Sequence, residues 1–240
     1  MYNFANLKIS DIVRCGRDIR VLGQDAKSME DAANELVRYL FEHFVDENTG
    51  EKECVLVRLF KTHDIEKLPE NLQHFAKKLL SGESVPSSFK CLTLLATDGV
   101  EEAWKSREKS NGHQAIPLPS KEVLYRIPMM RTLVKQMGLD VETVIKPDPD
   151  LLKDLAQKTF NVFHVSEAED SEYIPAQKEF VKPYGIKSVL GFGGVLPSGN
   201  VFVVIIFSKV PISKEVAGMF DTLALNVKML ILPFDDLVFS

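Results

Sequence analysis

The chain has 240 residues, a mass of 27.0 kDa and a net charge of −5, from 29 Lys and Arg against 34 Asp and Glu. Hydrophobic residues make up 45% and charged residues 26%, a globular composition too apolar for intrinsic disorder. These values exclude a collagen, a disulfide scaffold and a polybasic binder of nucleic acid, and a chain of this length buries roughly 70% of its surface without a metal or disulfide staple.

Three cysteines, Cys15, Cys54 and Cys91, form no Cys-x-x-Cys, so neither a zinc site nor a dithiol redox motif is expected. Met1 to Ser10 lacks a basic region followed by an apolar run. The longest strongly apolar stretch, Val201 to Phe207, is far below the ~20 residues of a membrane span. A cytoplasmic, reduced protein without membrane insertion is the expectation.

In chain order, residues 7–22 predict a short helix. Ser28 is an N-cap, and Met29, Ala33, Leu36, Leu40 and Phe44 recur at helical spacing behind it. Glu53 to Phe60 predicts a buried strand. Pro69 opens a helix over 70–80, and Lys90 to Thr97 predicts a second strand. The stretch 101–112 is polar, and Pro117 and Pro119 mark an extended loop. Ser120 caps a helix that Pro128 kinks. Asp148-Pro149 starts a helix over 150–159, and Asn161 to Val165 predicts a short strand. A helix over 176–181 precedes a hairpin, 186–196 and 201–209, around Pro197-Ser198-Gly199-Asn200. Ser213 caps a last helix reaching Leu232.

Hairpin-joined strands with helices gathered around one sheet indicate an α+β fold rather than a doubly wound sheet. Residues 1–27 read as an N-terminal helical extension. Residues 28–240 read as one domain with a helical insertion over about 100–160.

This order, with a long helix early, a glycine-turned hairpin late and an amphipathic helix last, is similar to the GAF domain, a small-molecule sensory module related to PAS. Val55-Leu56-Val57-Arg58-Leu59-Phe60-Lys61-Thr62-His63, Cys91 to Thr97, His113 to Ser120, Tyr173 to Gln177, and Pro183 through Phe234 resemble the N-terminal GAF-like sensory region of bacterial two-component proteins, especially hybrid histidine kinases. The resemblance spans about residues 10–235. It implies a GAF/PAS-like antiparallel sheet flanked by N- and C-terminal helices with a helical insertion in the middle. It also implies a sensory role that relays a signal to a histidine-kinase type of output. No phosphoacceptor helix, ATP-binding domain or receiver domain lies within these 240 residues, so the output is expected on another segment or another protein.

No catalytic residue is expected. Gly191, Gly193, Gly194 and Gly199 form neither G-x-G-x-x-G nor a Walker motif, and they predict a bulged hairpin in which a ligand or the facing strand approaches the backbone closely. His43, His63, His74, His113 and His164 are scattered, with no His-x-x-x-His pair, so no metal site is expected. Cys54 and Cys91 fall on predicted strands as small buried hydrophobes. The free-methionine-sulfoxide reductases, a redox class of the GAF fold, need a nucleophilic loop thiol with a resolving partner, which this placement does not offer. Nor does any pattern point to cyclic-nucleotide binding.

The expected site is a pocket for an unknown small molecule between the sheet and the insertion, lined by Trp104, His113, Phe163, Tyr184, Phe192 and Phe202. His113 sits in a loop able to form a lid, where an imidazole would bond a ligand carbonyl or carboxylate. The sequence names no cofactor. In the last helix Val216, Phe220, Leu223, Val227 and Leu230 form a heptad seam, and Met219, Leu225, Met229 and Leu232 form a second apolar face. A helix apolar on two faces buries both, against the sheet and against either the helix from Ser28 or a second subunit. A homodimer through Met219, Leu225, Met229 and Leu232 is the expectation, with a ligand-free dimerisation module as the alternative function.

Overall fold

A computed structural model describes residues 1–80, 86–110, 112–146, 154, 158 and 160–239. Two amphipathic helices open the chain, α1 (Ile9–Val21) and α2 (Met29–His43). Ser28 Oγ accepts from Asp31 N at 3.1 Å, and Glu30 and Asp31 set negative charge at the positive end of α2. β1 (Cys54–Asp64), α3 (Glu70–Leu79) and β2 (Lys90–Gly99) follow. β3 (Ala115–Leu118) leads into α4 (Lys121–Tyr125), α5 (Pro128–Met137) and α6 (Val141–Ile145). After β4 (Phe163–Val165) comes a π-helical turn (Gln177–Val181). The hairpin β5 (Ser188–Val195) and β6 (Val201–Ser208) then feeds α7 (Lys214–Met219) and α8 (Asp221–Ile231).

The six strands form one sheet, in the order β3-β2-β1-β6-β5-β4, with every neighbouring pair antiparallel. The α+β architecture read from the sequence is the one observed. The late hairpin turns where its glycine allows it: Gly199 sits at φ +79°, and Leu196 N donates to Asn200 O at 2.8 Å. Its ladder runs unbroken from Ser188–Ser208 to Val195–Val201, so the expected bulge is absent there. A register shift lies instead in the β1–β2 ladder, between Leu59 and Phe60, where Leu95 of β2 is the extra residue. Gly193 serves close approach by the facing strand, since a Cβ on it would stand 2.0 Å from Phe202 O.

Each face of the sheet has its own core. Side chains alternate along a strand. Val57 and Leu59 of β1, with Val204 and Ile206 of β6, meet α1, α2 and α8. Leu56 and Phe60, with Val203, Ile205 and Phe207, meet the insertion. Ile12, Cys15 and Ile19 place the 1–27 stretch in the same core as α2 and α8.

Four expectations change in the structure. Residues 115–118, read as a loop, are a strand on β2; as the sheet edge, β3 tolerates Pro117, and the insertion begins after it rather than near residue 100. Pro128 breaks its helix rather than kinking it: Ile127 is extended at φ −98°, ψ 103°, and Pro128 opens α5. A further helix, α6, follows where none was read. The last helix is two, because consecutive i to i+3 hydrogen bonds, Phe220 N to Ala217 O and Leu223 N to Phe220 O, tighten the backbone at Phe220. The helix read over 150–159 lies outside the described residues, apart from 154 and 158.

Val216, Phe220, Leu223, Val227 and Leu230 are all buried on the sheet side. α1 of the same chain packs on α8, with Gly16 set against Asn226. Met219 and Leu232 are half-buried against this core, whereas Leu225 and Met229 are 65% and 56% exposed. The run Lys214–Phe234 is long and apolar enough to cross a membrane by length and composition, and 44% of its most apolar window is buried in the protein. Beyond α8 the chain returns over the start of α2, where Met29 N and Glu30 N donate to Leu237 O and Val238 O at 2.9 Å. Arg107 forks onto Glu30 at 2.6 and 2.9 Å and lies 5.0 Å over the Phe239 ring. Lys61, 1% exposed, pairs with Asp235 at 3.2 Å.

Candidate functional site

Short helices and an extended turn cannot tile a twisted sheet as a long helix does, and the insertion leaves a cavity of about 300 Å³ over β1, β2 and β6. Leu56, Phe60, Leu92, Ile205 and Phe207 form its floor. Ile127, Met129, Met130 and Leu133, at the start of α5, form one wall, and Ile174 and Phe180 form another. Trp104, in a 3-10 turn just past β2, closes a side. Its ring meets Phe180 edge-on at 5.5 Å, and Phe180 meets Phe207 edge-on at 5.0 Å.

Among the described residues one charged side chain, that of Arg58, lines this apolar space. Arg58 lies mid-strand on β1, between Leu56 and Phe60 on the same face. Its one hydrogen bond among the described residues is long, Nη2 to Ser110 Oγ at 3.4 Å, and its buried Nε has no partner. No described carboxylate pairs with it, and burial pulls its pKa down to about 10. Thr97, directly across the ladder, has a buried hydroxyl that also lacks a partner. The loop over Arg58 is held by its own bonds: Ser110 Oγ donates to Gly112 O at 3.0 Å and Gln114 Nε2 to Ser110 O at 2.7 Å. His113 follows at φ +62°, a left-handed conformation uncommon outside glycine, and lines the cavity as an exposed residue. Burial first, and the Arg58 charge second, lower its pKa.

Of the six residues read as pocket-lining, the structure brings Trp104 and His113 to the cavity. Tyr184 stands behind Trp104, with ring centroids 4.8 Å apart and its hydroxyl bonded to Glu101 at 3.1 Å. Phe163 is fully buried in the same core layer, against Gly191, without lining the space. Phe192 and Phe202 do not join them. Strand alternation turns both to the other face, into the core under the terminal helices, where Phe192 meets Phe220 at 5.4 Å. The residue missed was Arg58, and its signal was present: a full charge inside the apolar run Val55 to Phe60.

Two wider depressions, of about 560 and 670 Å³, open beside Lys187 and Ser166 and beside Arg38 and Asp25, and neither gathers a residue of the expected site. The three thiols are buried, and burial raises the pKa of Cys15 and of Cys91 to about 12 and that of Cys54 higher still. Among the described residues no group of His, Cys, Asp and Glu is arranged to hold a metal ion.

No family model matches the chain, and no curated protein matches it. Solved structures of GAF domains are similar to it. The GAF domain of a phosphoenolpyruvate-protein phosphotransferase from Coxiella burnetii is 13% identical, with 94% of this chain and 95% of that one covered and a TM-score of 0.44. The phycocyanobilin-bound GAF domain of a cyanobacterial phytochrome is 10% identical, with 95% and 96% covered and a TM-score of 0.43. A phycoerythrobilin-bound GAF domain of a cyanobacterial phytochrome is 13% identical, with 95% and 98% covered and a TM-score of 0.39. At these values the likeness says nothing of what this chain binds.

Proposed function

We propose that the chain is a GAF-like sensory domain that binds a small molecule in the cavity between sheet and insertion and relays the event to a separate output, of the histidine-kinase type that the sequence resemblance implies. The observation that carries this reading is the cavity itself, mostly apolar, with a few polar groups converging on it. The sheet supplies a path. On β1, Leu56, Arg58 and Phe60 face the cavity, while Val57 and Leu59 face α1, α2 and α8. A ligand that prefers one setting of β1 and β6 biases the terminal helices by its difference in affinity, and ~1–3 kcal/mol suffices. The domain performs no chemistry in this reading, and the buried thiols are structural.

The test is mass spectrometry of whatever small molecule gentle denaturation releases from purified protein, with an absorption spectrum for any coloured cofactor. It is followed by hydrogen exchange of α1 and α8 with and without that molecule. A stoichiometric compound whose removal changes exchange in those helices supports sensing. A compound that leaves them unchanged overturns the relay.

The second reading is a ligand-free module that dimerises, favoured by the exposure of Leu225 and Met229 on α8. The homodimer is tested by replacing these two with glutamate rather than Met219, which is half-buried. Sedimentation that shows a dimer becoming a folded monomer supports it, and a monomer before substitution refutes it.

A further inference from the structure

We propose that the cavity is selective for small organic monocarboxylates with an apolar body, and that Arg58 is the residue that recognises the acid group. The inference rests on the ligand-binding reading above and adds the chemical class.

A guanidinium largely withdrawn from water in an apolar wall is costly unless a negative charge meets it, and Arg58 is half-buried with its Nε fully so. Arg58 has none among the described residues: its Nε is buried and unbonded, and its one contact, to Ser110, is with a neutral hydroxyl at 3.4 Å. A half-buried, paired arginine of the same protein shows the contrast, since Arg107 forks onto Glu30 with two nitrogens within 2.9 Å. Thr97, directly opposite Arg58 in the ladder, leaves a second polar group unmet beside it, behind the residues that line the cavity. The planar guanidinium, with an unmet N–H at the wall of a mostly apolar cavity, matches the two oxygens of a carboxylate.

The charge count narrows the class further. Among the described lining residues Arg58 brings one positive charge, and its field works against a second on His113. A monoanion neutralises the cavity. A phosphate monoester, with nearly two charges, would leave one buried and unmet. The volume of about 300 Å³ sits at the lower end for small-molecule sites, and the lining of Leu56, Phe60, Trp104, Met130 and Phe180 calls for an aromatic or aliphatic body.

Trp104 is the single tryptophan of the chain and lines the cavity, so its fluorescence reports occupancy without background. Phenylpropionate, cyclohexanecarboxylate and octanoate are titrated against the full chain beside their primary amides, which match them in shape and lack the charge. The expected result is saturable change with at least one acid at ~10-fold or more lower concentration than with its amide, as a charge-assisted pair requires. Arg58→Gln abolishes the preference, and Arg58→Lys keeps it in weaker form; the wild-type and Arg58→Lys titrations decide the matter even if the glutamine variant does not fold. Amides that bind as well as acids overturn the inference and leave the ligand-binding reading standing. Silence of Trp104 toward acids and amides alike overturns both.

Discussion

Replacing Arg58 by methionine is expected to stabilise the ligand-free protein. The guanidinium pKa is displaced to about 10 by burial alone, which at ~1.4 kcal/mol per tenfold corresponds to roughly 3 kcal/mol of desolvation carried by the folded state. Methionine keeps most of the aliphatic stem and removes the charge. Against that gain stands the long bond to Ser110, worth about 1 kcal/mol, and some lost packing. A net gain of about 1–2 kcal/mol remains, in line with other replacements of buried charge by apolar side chains. For a chain of this size that is a rise in melting temperature of roughly 2–8 °C. Differential scanning calorimetry of both proteins, freed of small molecules, reads it directly. A lower melting temperature for Arg58→Met would mean that the guanidinium supports the fold, and the reasoning from its unmet charge would fail.

Acidification should destabilise the fold through His63, whose ring nitrogens are buried without partners and whose pKa burial drives well below its ordinary value. The unfolded chain takes up that proton near pH 6.5 and the folded one only lower, so stability falls as pH drops through about 6.5. His113 and His164 act in the same direction. His63→Phe should flatten the loss between neutral and mildly acidic denaturant melts, and an unchanged slope would assign the effect elsewhere. Gly193→Ala should cost about 3 kcal/mol or more, because its Cβ meets backbone at 2.0 Å, whereas Gly191→Ala meets the Phe163 side chain, Cβ and ring, at 3.2 Å and costs about 1 kcal/mol; equal effects in chemical denaturation would contradict the close approach of β5 and β6. All three thiols should resist an aromatic disulfide reagent until the protein unfolds, and Cys54→Ala or Cys91→Ala should cost about 1–2 kcal/mol while leaving the acid preference intact. Rapid native labelling at any one of them would show a reactive thiol.

The elements legible in the sequence are those with local causes. Ser28, Pro69 and Ser213 stand at the helix starts they signal, and the Pro197 to Asn200 turn joins the two strands it separates. What escaped was set by long-range partners. β3 is a strand because β2 offers an edge, not because Ala115 to Leu118 has strand character of its own. The candidate site divided the same way. Aromatic residues can be counted in a sequence, but the face that Phe192 and Phe202 take depends on register against neighbouring strands, and that register turned them toward the helices. Arg58 looked like one letter of an apolar strand until the cavity over it came into view.

The contact between Lys61 and Asp235 bears on where this folding unit stops. By hydrophobic pattern the protein is finished at Leu232, the last residue of the apolar periodicity. Electrostatically it is not, because the ammonium inside the sheet finds its counter-charge three residues further on, at 3.2 Å. A version trimmed after Pro233 loses the packing of Phe234, Val238 and Phe239 and also abandons a cation in the interior. Anyone redrawing the borders of this module, to shorten it or to join it to something else, should therefore cut by charge and leave the segment through Phe239 in place.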